Sequence, residues 1–170
     1  VPHHPLRVYV MGERAINREP ATAEDIATMC ALTEEAMAAG AFGFTTSRTN
    51  SHKTLTGDFV PGRYSDVDEL IGIGSCLAKF DYGAFGMNSD FDDEQGEMAW
   101  ITDLARQTGR PVWFLITQNI RDPERWRRLL RRAPGRARQH SVGSLSLAAP
   151  QHEQRLRKHL RRTCGSPAST

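Results

Sequence analysis

AFGFTTS at residues 41–47, AFGMNS at 84–89 and PVWFLITQ at 111–118 decide the reading of this chain. Each run is short and apolar, follows a Gly-containing turn and ends in polar residues, which predicts three strands. The segments between them carry helical signals. Thr22 precedes a run whose apolar residues Ile26, Met29, Cys30, Leu32 and Met37 recur at helical spacing, with Asp25 three residues on and Gly40 at the stop. Ser65 is expected to cap a helix through Val67, Leu70, Ile71, Ile73 and Leu77, with Asp68 repeating the capping pattern. Asp92 or Asp93 is expected to open another through Met98, Trp100, Ile101 and Leu104, closed by Gly109. A fourth helix fits 122–133, with Pro123 at its first position.

Strands alternating with helices are the grammar of a parallel α/β fold. The strand starts lie 43 and 27 residues apart, and an eight-fold barrel of roughly 250 residues allots about 31 to each unit. The spacing therefore predicts an α/β chain with part of a (β/α)8 TIM barrel, about three βα units, one of them carrying a long inserted loop. In such folds chemistry collects where strands end. Thr45–Arg48 with the loop to Gly62, then Asn88, Ser89 and Asp90, then Thr117, Gln118 and Asn119 are expected on one rim. A doubly wound cofactor-binding domain is disfavoured, because no GxGxxG follows a strand.

Charge divides the chain near Ala133, Pro134 and Gly135. Residues 134–170 hold seven Lys and Arg against one Glu, a net +6, which leaves 1–133 at −4 from 15 Lys and Arg against 19 Asp and Glu. Two regions follow: a barrel fragment over 1–133 and a basic tail over 134–170 expected to be largely without order, since 136–170 has no aromatic residue and no Asp. The tail reads either as an arm for nucleic acid, with Arg155, Arg157, Lys158, Arg161 and Arg162 on a short helix, or as out-of-frame sequence from a GC-rich gene. No apolar run approaches the roughly 20 residues that span a bilayer, so a membrane partner is not expected and the composition suits the cytoplasm. Cys30, Cys76 and Cys164 are odd in number and widely spaced, which predicts structural thiols rather than a disulfide framework. Val1 runs at once into structured-looking sequence, which predicts that an upstream part is missing.

An ordered set of motifs also points to a family. His3, Leu6 and Arg7 (HxxLR) with Val10, Met11 and Gly12 come first. Ala36, Gly40, Ala41 and Gly43 through Ser47 follow, then Pro61 and Gly62. Asp90, Phe91, Trp100, the TGRPVWF run at 108–114, Gln118, Arg125, Trp126 and Arg127 complete the set. Over residues 1–130 this resembles the N-acyl-D-amino-acid deacylase branch of the amidohydrolase superfamily, amidohydrolase family 3. The resemblance implies a (β/α)8 barrel binding Zn, in which a metal-bound water cleaves the linear amide of a small-molecule N-acyl-D-amino acid to a carboxylate and a D-amino acid. It also implies that the metal ligands and the late Asp that handles the proton lie outside this chain, which would then be inactive alone. No HxH, HExxH or CxxC replaces them. The family's YxPG is Phe59, Val60, Pro61, Gly62 here, so a tyrosine hydroxyl is missing.

Pocket candidates are therefore His3, Arg48, His52, Asp90 and Gln118, with no catalytic or metal residue assigned. The resemblance puts His3 at a strand end near the pocket, where it could equally be a capping or core histidine. His52 lies in the loop after the first strand and either reaches the rim or is solvated. Arg48 either grips a substrate carboxylate through two parallel bonds or pairs with Asp58 or Asp66. Asp90 either holds a substrate amine or hydroxyl or caps a helix. Arg7–Gly12 (RVYVMG) reads as a strand by pattern, whereas the resemblance ends the strand at His3. We take the latter, which leaves an open half sheet with two exposed parallel edges. Gly72, Gly74 and Ser75 are expected in close helix packing rather than a phosphate loop, and Arg125, Arg127, Arg128, Arg131 and Arg132 on an exposed helix face.

Overall fold

A computed structural model describes residues 1–116, 120–133, 138–141 and 144–147, the last two segments as backbone. Three parallel strands form its centre: β1 (Gly43–Arg48), β2 (Ala84–Ser89) and β3 (Val112–Leu115). They pair in sequence order, Phe44 beside Phe85 and Phe85 beside Val112. The expected strands are thus present, with β3 ending at Leu115. Helices α1 (His3–Met11), α2 (Glu13–Ile16), α3 (Ala23–Ala38), α4 (Val67–Ser75), α5 (Glu94–Thr108) and α6 (Arg125–Arg132) account for most of the rest. None is long and apolar enough to cross a membrane.

Strand alternation decides which side is dry. Phe44, Thr46, Phe85, Met87, Val112 and Phe114 face one way and are buried; Thr45, Trp113 and Leu115 face the other and are exposed. The buried side meets Leu70, Ile73, Leu77, Trp100, Ile101 and Leu104 in one core, with Phe44 5.4 Å from Phe85 and Trp100 edge-on to Phe85 at 5.9 Å. The helices form a row over this face, α3 on α4, α4 on α5 and α5 on α6. Each crossover spans neighbouring strands, so the chain never reverses its order across β1, β2 and β3.

Close approaches explain the glycines. A Cβ at Gly43 would overlap the backbone of Ala84, and one at Gly86 would overlap the Trp113 indole that lies on it. Gly72 faces Ile26 of α3, and Gly74 faces Leu104 of α5, so these two serve helix packing as expected. Thr22 and Asp25 close the capping box of α3 in both directions, and the Asp93 carboxylate accepts from Gly96 N to start α5. Gly109 ends α5 at φ 64°.

Three local points differ from pattern alone. Arg7–Met11, whose strand pattern the resemblance overrides, is the second half of α1, and His3 opens that helix instead of ending a strand. His3, Leu6, Arg7 and Met11 are buried at helical spacing, which outweighs the strand preference of Val8, Tyr9 and Val10. The chain ahead of α1 does run beside β1: Thr45 N donates to Val1 O at 2.9 Å, and Pro2 bridges Thr45 in parallel. Ser65 is not the cap of α4. Asp66 stands there, while the Ser65 hydroxyl donates to Glu69 one turn on. α6 starts at Arg125, two residues after Pro123.

Part of the basic tail is strand. β4 (Arg138–Ser141) and β5 (Ser144–Leu147) pair antiparallel, and β5 lies antiparallel beside β3, giving the order β1, β2, β3, β5, β4. The unpaired backbone of β3 offers a ready template for such a ribbon. Neither edge of the parallel sheet is therefore bare over its whole length. The remainder of the tail, including the Lys and Arg residues expected on a short helix, and Gln118 lie outside the described residues.

Candidate functional site

The carboxyl ends of β1 and β2 carry two layers of polar residues. The lower layer is closed to solvent. His3 and Glu69, 0% and 2% exposed, meet with Nε2 2.7 Å from Oε1, and Arg7, 1% exposed, donates Nε to the same oxygen at 2.9 Å. Ser65 donates to it as well at 3.1 Å. A carboxylate only accepts, so a proton sits on His3 Nε2, and His3 Nδ1 meets the Thr46 hydroxyl of β1 at 2.9 Å. Burial pushes the Glu69 carboxyl up, but the bonds and charges of His3 and Arg7 outweigh it and hold the group below its usual value. Its second oxygen, Oε2, has no partner.

His4 sits beside this cluster. Its Nδ1 accepts from Gly62 N at 3.1 Å, its Nε2 is buried and unpartnered, and burial with the charges of His3, His52 and Arg7 pushes its pKa down to about 4. A Cβ at Gly62 would collide with the imidazoles of both His3 and His4. The Pro61–Gly62 turn and the histidines at the start of α1 thus need each other, although 58 residues separate them.

The upper layer is open. His52 is exposed, with Nδ1 2.7 Å from Ser47 Oγ of β1 and Nε2 3.4 Å from the Asn88 side chain of β2, so it bridges two strand ends. Asp90 accepts from Thr49 Oγ1 at 2.5 Å and Asn50 N at 2.7 Å, which ties the loop after β1 to the end of β2. Helix capping falls to Asp93 instead. Phe91, next in the chain, is buried at φ 51°, a left-handed conformation that non-glycine residues rarely hold without cause. Ser89 Oγ steadies it by accepting from its N–H.

Arg48 does not face this open layer or pair with Asp58 or Asp66. Its Nε donates to Glu97 of α5 at 2.9 Å and its Nη1 to Ser65 O at 2.5 Å. It lines a hollow between α4 and α5 with Val67, Ile71, Glu97 and Trp100. The last turn of β1 thereby locks the two helices together, and Ser89 donates to the other Glu97 oxygen at 3.1 Å.

A second hollow, about 570 Å³ in volume, lies over the ends of β2 and β3. Thr49, Asn88, Asp90, Leu115, Ile120 and Arg125 line it. Arg125 comes from α6, whose arginines are not simply solvated: Arg125, Arg128 and Arg132 converge on Glu94 of α5 at 3.6, 2.8 and 3.9 Å. The hollow offers an amide, a carboxylate and a guanidinium opposite apolar carbons. It suits a small molecule with an anionic end and an apolar end.

Zinc does not fit this rim as described. His3 spends both ring nitrogens on Thr46 and Glu69, and His52 meets Ser47 and Asn88. Among the described residues, the three metal-type donors that converge are Cys30, Glu34 and Cys76, on the helices. Of the sequence-predicted residues, the structure brings His52 and Asp90 to the open rim, puts His3 beneath it and turns Arg48 away. Glu69, Glu97 and Arg125 were missed. Glu69 had a signal, since it falls on the buried stripe of α4 with Leu70, Ile73 and Gly74. Compared with known protein families, curated proteins and solved structures, the chain matches none.

Proposed function

We propose that residues 1–133 are a section of a (β/α)8 barrel hydrolase of the N-acyl-D-amino-acid deacylase type, and that the section supplies substrate-pocket wall but not the catalytic metal centre. The observation that carries this reading is the one-sided helix row over parallel strands in unbroken sequence order, with polar side chains at their carboxyl ends. A doubly wound sheet would place helices on both faces and reverse its strand order. The motif resemblance supplies the reaction class, and the hollow over β2 and β3 supplies a place for the substrate.

In that hollow the Arg125 guanidinium faces the substrate carboxylate, Leu115 and Ile120 take the acyl chain, and Asn88 meets the amide. Asp90 holds the loop that roofs the site. The buried His3, Arg7 and Glu69 cluster keeps the end of β1 in place. Zinc in the whole enzyme would activate water, and its ligands come from elsewhere than these residues. This chain alone is inactive.

The test is to translate the DNA flanking the coding region in all three frames and to assay the repaired product on an N-acetyl-D-amino acid with zinc. A strand followed by HxH upstream, a late Asp downstream and D-selective hydrolysis are expected. In that enzyme Arg125→Met should raise KM by about 10-fold to 100-fold, the worth of one charge-assisted contact. Flanks without such motifs, or an intact product without hydrolysis, would sink the proposal.

A further inference from the structure

Three donors meet in the seam between α3 and α4, away from the hollow. Cys30 and Glu34 are one turn apart on α3 and so share a face. Cys76 opens the 3₁₀ turn Cys76–Lys79 that continues α4. One donor atom from each lies within 4.8 Å of the others, and Cys30 Sγ is 3.5 Å from Glu34 Oε1. We propose that Cys30, Glu34 and Cys76 bind a thiophilic divalent cation of the zinc class, with a water completing the set.

Geometry supports this. A tetrahedral zinc with bonds of about 2.3 Å to sulfur and 2.0 Å to oxygen sets S···O edges near 3.5 Å and S···S edges near 3.8 Å. The first is the separation already present between Cys30 and Glu34, and the second falls inside the 4.8 Å within which all three donor atoms lie. Charge supports it too. Two thiolates and one carboxylate exceed a divalent cation by one negative charge, and the Lys79 ammonium, 2.5 Å from Glu34, supplies the balance.

Binding must release two protons, so affinity should rise by up to about 100-fold per pH unit below the thiol range. The site would bridge α3 to α4 and lock two successive units of the fold.

The experiment uses the full reduced chain after chelation. Titration with Cd2+ should give the ultraviolet thiolate-to-cadmium band, saturating at one ion per chain and reversed by excess Zn2+. Cys164→Ser should keep the band, Cys30→Ser or Cys76→Ser should lose at least half of it, and Glu34→Gln should weaken binding by about 10-fold to 100-fold. A second measurement needs no variant: Zn2+ should shield Cys30, the half-exposed thiol of the set, from alkylation in the native chain, mapped by mass spectrometry, and leave the alkylation of Cys164 unchanged. A missing band, a band that survives the Cys30 and Cys76 changes, or Cys30 alkylated equally with and without Zn2+ would overturn the proposal.

Discussion

Replacing Glu69 should reveal what the closed polar layer contributes. Its Oε1 takes bonds from His3, Arg7 and Ser65 at 2.7, 2.9 and 3.1 Å, and all four residues are nearly or wholly buried. Glu69→Leu leaves the Arg7 guanidinium in the core with its Nη groups on Ala15 O and Glu19 O but no counter-charge. Stranding one member of a buried pair costs about 3–5 kcal/mol. That is a large part of the 5–15 kcal/mol that typically holds a domain together. Pairing it with Arg7→Met removes both charges and replaces them with packing volume. The double variant should lose no more than about 3 kcal/mol, the part left when His3 Nε2 has no acceptor. Urea unfolding followed by far-ultraviolet circular dichroism gives each value from midpoint and slope. A Glu69→Leu loss below about 1 kcal/mol, or a double variant whose loss equals the two single losses together, would refute the argument.

Acid should weaken the fold through His4. Its folded pKa of about 4 lies below the ordinary 6.5, so between those values the unfolded chain takes a proton that the folded chain refuses. Stability should be full above about pH 6.5 and fall by at most about 3 kcal/mol on the way to pH 4, and His4→Gln should flatten that slope in urea melts. Gly43→Ala should cost at least about 2 kcal/mol, because the new Cβ meets the Ala84 backbone of the paired strand, which cannot yield. Equal urea midpoints for Gly43→Ala and the parent chain would show that the strands part more easily than their register implies.

The strands were legible because apolar runs such as AFGMNS are bounded by glycine turns, and both ends of α5 were legible because Asp93 and Gly109 carry cap chemistry that acts locally. RVYVMG reads as a strand by pattern because that preference is local, whereas the burial of Leu6, Arg7 and Met11 against later elements, which makes it helix, is not. The rim could be read only as a list of strand-end residues. Apart from the local Ser47–His52 and Ser65–Glu69 pairs, its connections span 36 to 66 residues, from Asn88 with His52 to Glu69 with His3, and a partner at that distance leaves no trace in nearby spacing. Arg48 shows the same limit: its carboxylate partner, Glu97, is an ordinary exposed-looking residue on a helix 49 residues further on.

The row of helices has a consequence for how the fold comes apart. Each unit touches chiefly the one before it and the one after it, α3 with α4, α4 with α5, α5 with α6, and the strands beneath follow suit. Such an array behaves less like a ball than like a short stack of coins, where contacts are mostly between neighbours in sequence and can form early. Its middle, β2 between α4 and α5, is braced on both sides, and its amides should exchange only when the whole structure opens. At the far end α6 packs chiefly on α5, so α6 should open first and leave the seam between α3 and α4 standing.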